Sequence, residues 1–217
     1  MQDIGNKINN AGEWVYRLLI LNFLWVGFTL VGFGILGIFP ATHALFAVLR
    51  KFLMKKRSVK MTKDFIYYYR KDFCKSNALG YVIVLIAAIL WIDFRYFMSI
   101  TSFGMFVLAH FMLLFFVFSL LSLLILFPIF THSELSFMQY VKNALIYPFT
   151  HLGTMILLAA SLGLYYFIVN QVPGFIPFLG ISFPCFVIMK IILPTFQKKE
   201  RKVKGWFKGQ NDTRIYY

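Results

Sequence analysis

Apolar residues run through this chain in blocks far longer than a soluble core requires, and short polar, proline-bearing or basic segments interrupt them. A bilayer crossing takes about 20 mainly apolar residues. The blocks predict five transmembrane helices, over residues 14–39, 77–97, 101–127, 149–170 and 175–193. That pattern describes an all-α polytopic membrane helix bundle, with residues 1–217 forming one integral membrane domain. Composition agrees: 60% of the residues are hydrophobic and mean hydropathy is +0.73, too apolar for a soluble protein of 217 residues.

The segments between spans carry patterns of their own. In the connecting segment 40–76, Leu45, Val48, Leu49, Phe52 and Leu53 recur at helical spacing. His43, Arg50, Lys51 and Lys55 fall elsewhere around that helix. The pattern predicts an amphipathic helix opening just after Pro40, where proline suits a first turn. A second helix is expected with Thr62 as its N-cap and Asp64 in its first turn, burying Phe65, Ile66, Tyr69 and Phe73. Further on, Pro128 is expected to end the third span, and Pro148 to separate a short helix from the fourth. Both Thr131-His-Ser-Glu134 and Ser136-Phe-Met-Gln139 fit a capping box.

Charge gives the arrangement a direction. Of 22 Lys and Arg residues, seventeen lie in the stretches 50–75 and 198–214. Basic loops stay on the cytoplasmic side of a membrane. Segments 40–76, 128–148 and the tail 195–217 then share the cytosolic face, with only Lys7, Arg17 and Arg95 opposite. With five spans the N-terminus is outside and the C-terminus cytoplasmic. A rival arrangement turns the first block back at Pro40 and puts both termini inside. The net charge of +14 is thereby assigned to anionic lipid headgroups rather than nucleic acid.

Polar residues inside spans are costly and mark the first places to look for function. Asn22 reads as an interhelical hydrogen-bonding residue one turn before Trp25. Asp93 and Arg95 mark the outer end of the second span, and His110 lies within the third. Lys190 near the inner end of the fifth span has a stem long enough to snorkel. Ala159 and Gly163 form a small-xxx-small pair, and Gly27, Gly34 and Gly37 lighten the first span. Cys74 and Cys185 have no CxxC or Cys/His neighbour, and His132 with Glu134 has the wrong spacing for a helical metal pair. No Walker A loop, Gly-x-Ser-x-Gly elbow or HExxH pair occurs, so no catalytic, cofactor or metal site is assigned and a non-enzyme is expected. The candidate contacts to lipid or a partner are Arg50, Lys51, Lys55, Lys56, Arg57, Arg70, Lys71 and Lys75.

Several stretches together resemble the YesL family of small bacterial integral membrane proteins over nearly the whole chain. They are Asn22-Phe-Leu-Trp25, Pro40 through Lys51, Asp64-Phe65 through Lys75-Ser-Asn77, Trp91-Ile-Asp93, Phe127-Pro128 and Lys142-Asn-Ala144. The resemblance implies a plasma-membrane protein of uncharacterised biochemistry whose relatives are often encoded beside carbohydrate ABC importers. The function expected from it is a non-catalytic accessory or regulatory subunit contacting importer permease subunits. A protein handling envelope lipid or glycopolymer is the alternative, and a solute transporter in its own right the third. Oligomeric state is not legible in the sequence.

Overall fold

The computed structural model describes residues 2–54, 60–172, 174 and 176–212, with side chains over 12–54, 60–172, 174 and 177–197. Every element among the described residues is helical: α1 (Gln2–Val31), α2 (Ile35–Leu53), α3 (Met61–Lys71), α4 (Phe73–Met98), α5 (Phe103–His132), α6 (Phe137–Thr150), α7 (Leu152–Gln171), α8 (Ile176–Leu179) and α9 (Ser182–Asp212). Five helices are long and apolar enough to cross a membrane: Gly12–Val31 of α1, then α2, α4, α5 and α7. Ser182–Gln197, within α9, is a shorter apolar stretch.

The first apolar block is not one span. It folds at residues 32–34 into an antiparallel helical hairpin, and neither the continuous span 14–39 nor a turn at Pro40 occurs. Glycine makes the fold-back possible. Phe33 and Gly34 both take positive φ, 56° and 72°, a conformation that glycine adopts freely and phenylalanine only at a cost of about 1 kcal/mol or more. Beyond the turn the helices meet backbone to backbone, because a Cβ on Gly32 would strike Gly37 and one on Gly37 would strike the Thr29 carbonyl. The hairpin closes along its length: Trp25 Nε1 donates to Thr42 Oγ1 at 3.0 Å, and the Trp14 and Phe52 rings lie 4.0 Å apart. Trp14 of α1 therefore sits beside the end of α2, where the basic stretch begins.

α2 is the hub of the molecule, packing against α1, α3, α4, α5 and α9. Ala41, Ala44, Leu45, Val48 and Leu49 are fully buried or nearly so. Its periodic apolar face is the predicted one, but the helix begins at Ile35, so Pro40 lies inside it. A proline there lacks the N–H that would bond the carbonyl of residue 36. Asn77 of α4 supplies that donor, its Nδ2 bonding Leu36 O at 2.9 Å. Gly80, one turn further on, lets the Phe39 ring lie against the α4 backbone.

Other boundaries shift for similar reasons. Lys60, not Thr62, precedes the first helical residue of α3. Pro128 lies within α5, which continues to His132. Pro148 lies within α6, and the break with α7 falls at His151. Of the two capping boxes, Ser136–Gln139 forms at the start of α6, whereas Thr131 belongs to the last turn of α5.

Candidate functional site

The polar groups of this protein gather where α2, α3 and the facing ends of α4, α5 and α6 meet. α3 is amphipathic enough to sort its own faces. Phe65 and Tyr69 are buried, with both rings against Phe28 of α1, and Tyr69 Oη donates to Phe28 O at 3.0 Å. This fixes α3 lengthwise on the hairpin. Its opposite edge presents Lys63, Tyr67, Arg70 and Lys71 to the exterior.

Two of the predicted contact residues turn inward instead. Lys51 bonds Asp64 Oδ1 at 3.0 Å and lies 5.0 Å from the Tyr68 ring centre. Arg50 donates from Nη1 to Thr131 O at 2.8 Å and from Nε to His132 Nδ1 at 3.2 Å. They tie α2 to α3 and to the end of α5, so they hold the platform together rather than face a ligand. Arg70 and Lys71 remain exposed. Lys75 is exposed and spans the Phe130 and Tyr140 rings at 5.2 and 4.8 Å. Lys55, Lys56 and Arg57 lie outside the described residues.

His43, which the periodicity put away from the apolar face, is buried at 2% exposure. Its Nε2 meets Asp72 Oδ2 at 3.2 Å, and its ring packs 4.2 Å from that of Phe130. Among the described residues its Nδ1 has no partner. That arrangement fits the neutral tautomer with the proton on Nε2, since a bare ring nitrogen is cheaper to leave unpaired than a buried N–H. The hydrogen bond from His43 lowers the Asp72 carboxyl below its usual range, with Lys71 and Lys75 reinforcing the shift and partial burial opposing it.

The intramembrane candidates separate cleanly. Asn22 is buried at 2% exposure. Its Oδ1 accepts from the backbone N–H groups of Ile181 and Ser182 at 3.1 and 3.3 Å, and its Nδ2 donates to Pro177 O at 2.8 Å. An amide on α1 thus serves as the N-terminal cap of α9, satisfying groups that a helix leaves open. His110 is exposed and bonds within its own helix, at Phe106 O, 2.8 Å away. Asp93 is half-buried and Arg95 exposed in the last turns of α4, with no ion pair between them. The site does not bring these three together with Asn22. Sequence reasoning also missed Asn77, for which the signal was a proline early in a helix with a buried amide to match. Among the described residues no group of three or more His, Cys, Asp or Glu is placed to hold a metal.

Helical over most of its described residues, with long apolar helices and a polar junction at one end, the molecule is a multi-pass membrane protein in class. Comparison with known proteins places it more closely. A family model described as "Protein of unknown function, DUF624" matches residues 18–94, the stretch that holds the second part of α1, all of α2 and α3 and much of α4. Three uncharacterised Bacillus subtilis (strain 168) proteins are similar over most of their lengths. YteU is 35% identical over 87% of this chain and 85% of its own. YesV is 32% identical over 87% and 90%, and YesL 24% identical over 93% and 95%. No solved structure matches significantly. The chain belongs to the DUF624 family, in agreement with the resemblance drawn from its motifs.

Proposed function

We propose that this protein is a non-catalytic accessory or regulatory membrane subunit that associates with a carbohydrate ABC importer, using the α3 edge as its contact surface. The observation that carries this reading is the exposed cationic edge formed by Lys63, Arg70 and Lys71 on a helix whose other face is fixed by Phe65 and Tyr69, and continued by Lys75 in the first turn of α4. Asp72 offsets part of this charge from beside Lys71, and the net positive edge that is left favours docking to an acidic surface, since complementary charge speeds and orients association. The importer as partner rests on the family's genomic neighbourhood, which is associational. In this reading the basic stretches face the cytosol. The hairpin brings the start of α1 to that same face, so the N-terminus is cytosolic too.

Affinity purification of the full chain from native membranes tests the assignment. Permease subunits of a carbohydrate importer are expected to co-purify, and Arg70→Glu with Lys71→Glu is expected to reduce their recovery at least several-fold without changing the protein's own yield. Recovery of no permease subunit, with the protein intact, would remove the proposal. The alternative of lipid handling has an observation of its own, an apolar groove elsewhere in the molecule.

A further inference from the structure

Between α1 and α9 lies a cavity of about 530 Å³, within the roughly 300–1,000 Å³ range of small-molecule sites. Trp14, Val15 and Leu18 form its α1 wall, and Phe183 and Phe186 its α9 wall. Leu179 borders it on one side and Leu53, the last residue of α2, on another. The Trp14 ring is wedged between those of Phe52 and Phe186, at 4.0 and 5.1 Å, so the floor is rigid. One lining side chain carries a charge, Lys190.

Lys190 is exposed, and among the described residues it makes no hydrogen bond or ion pair. Its ammonium lies 5.9 Å from the Phe186 ring centre, at the outer limit of a cation–π contact. A lone cation on an apolar stretch is expensive unless it meets an anion or reaches the interface. The carboxylate next to the Trp14 wall does not relieve this, because Glu13 is paired with Arg17, which lies over Phe52. The groove ends at Leu53, just before the sequence enters Lys55-Lys56-Arg57, a composition that anionic headgroups favour.

We propose that this groove binds one anionic phospholipid of the surrounding bilayer, with an acyl chain along Trp14, Val15 and Phe183 and the phosphate on Lys190. The apolar walls match a hydrocarbon chain, and the unpaired ammonium selects a headgroup of net negative charge over a zwitterionic one. This site is independent of the α3 edge and needs no importer.

The test uses the purified full chain, delipidated in detergent and equilibrated with vesicles of equal phosphatidylglycerol and phosphatidylcholine, with bound lipid counted by native mass spectrometry. Wild type is expected to retain one lipid, enriched in phosphatidylglycerol. Lys190→Gln is expected to reduce that enrichment about fivefold, the effect of one cation near a headgroup, while Lys190→Arg keeps it. Val15→Trp, at an exposed position on the wall, is expected to abolish retention of either lipid with the protein still monodisperse. Equal retention of the two lipids by wild type, unchanged enrichment in Lys190→Gln, or full retention in Val15→Trp would each overturn the proposal. A protein segment rather than lipid cross-linked at position 15 in native membranes would do the same.

Discussion

α2 and α7 have nearly the same length, 19 and 20 residues, and both are apolar enough to cross a bilayer, yet 56% of the α2 window is buried inside the protein and only 11% of the α7 window. The difference lies in what each can bond to. α2 carries Pro40, Thr42, His43, Arg50 and Lys51, and every one of them has a counterpart on another helix or within its own turn. α7 offers Met155 and Leu158 to the interior and leaves Ile156, Leu157, Leu164 and Phe167 exposed. In lipid, apolar surface has no drive to be buried, so helix association rests on close packing and polar contacts. α2 has both, and α7 has little of either. Its small pair Ala159 and Gly163 faces outward, with nothing near the glycine.

This contrast ranks the consequences of substitution. Gly37→Leu is expected to do most harm, because its side chain must displace the Thr29 backbone. Overpacking of that kind costs about 3 kcal/mol, and the variant should lose most of its monodisperse fraction in detergent. Asn77→Leu comes next, at about 1–3 kcal/mol, since it strips the donor from Leu36 O. Pro40→Ala should make Asn77→Leu nearly harmless by restoring the intrahelical bond, and a double-mutant thermal-shift cycle measures this coupling directly. If the two losses simply add, Asn77 does not act through the proline. Asn22→Leu should cost about 1–2 kcal/mol, uncapping α9 and unpairing Pro177 O. Its signature is faster proteolysis after residue 180. At the low end, Ile156→Ala and Leu164→Ala on α7 should each move the melting temperature little, within about 0.5 kcal/mol. A large loss there would mean that α7 is covered by something other than lipid.

How much of this was legible in the sequence follows the same divide. The apolar lengths of α4, α5 and α7 come through in the sequence because a span is recognised by composition alone. Asn22 stands out because an amide among apolar residues needs a partner, although that partner lies some 160 positions away and has no sequence signal. The hairpin is hidden because residues 14–39 are long enough to read as one span, and the amphipathic, basic stretch after Pro40 as a helix lying outside it. Gly32, Gly34 and Gly37 were its trace, but glycine spacing alone does not tell a close packing face from a reversal. The inward turn of Arg50 and Lys51 depends on Thr131, His132 and Asp64, which only the fold brings near. His43 was misassigned for the same reason, since its cost of burial is met by Asp72 from the far end of α3.

The claim on which the rest depends is that α1 and α2 fold back on each other, so the start of the chain and the basic stretch share one face. In a background with Cys74→Ser and Cys185→Ala, single cysteines at Gly12 and Lys63, both exposed, report this through a membrane-impermeant maleimide applied to intact cells and to inside-out vesicles. Labelling of both positions from the vesicle side alone is the predicted result. Labelling of Gly12 from the cell exterior while Lys63 reacts only in vesicles would restore a single span through residues 14–39 and contradict the hairpin.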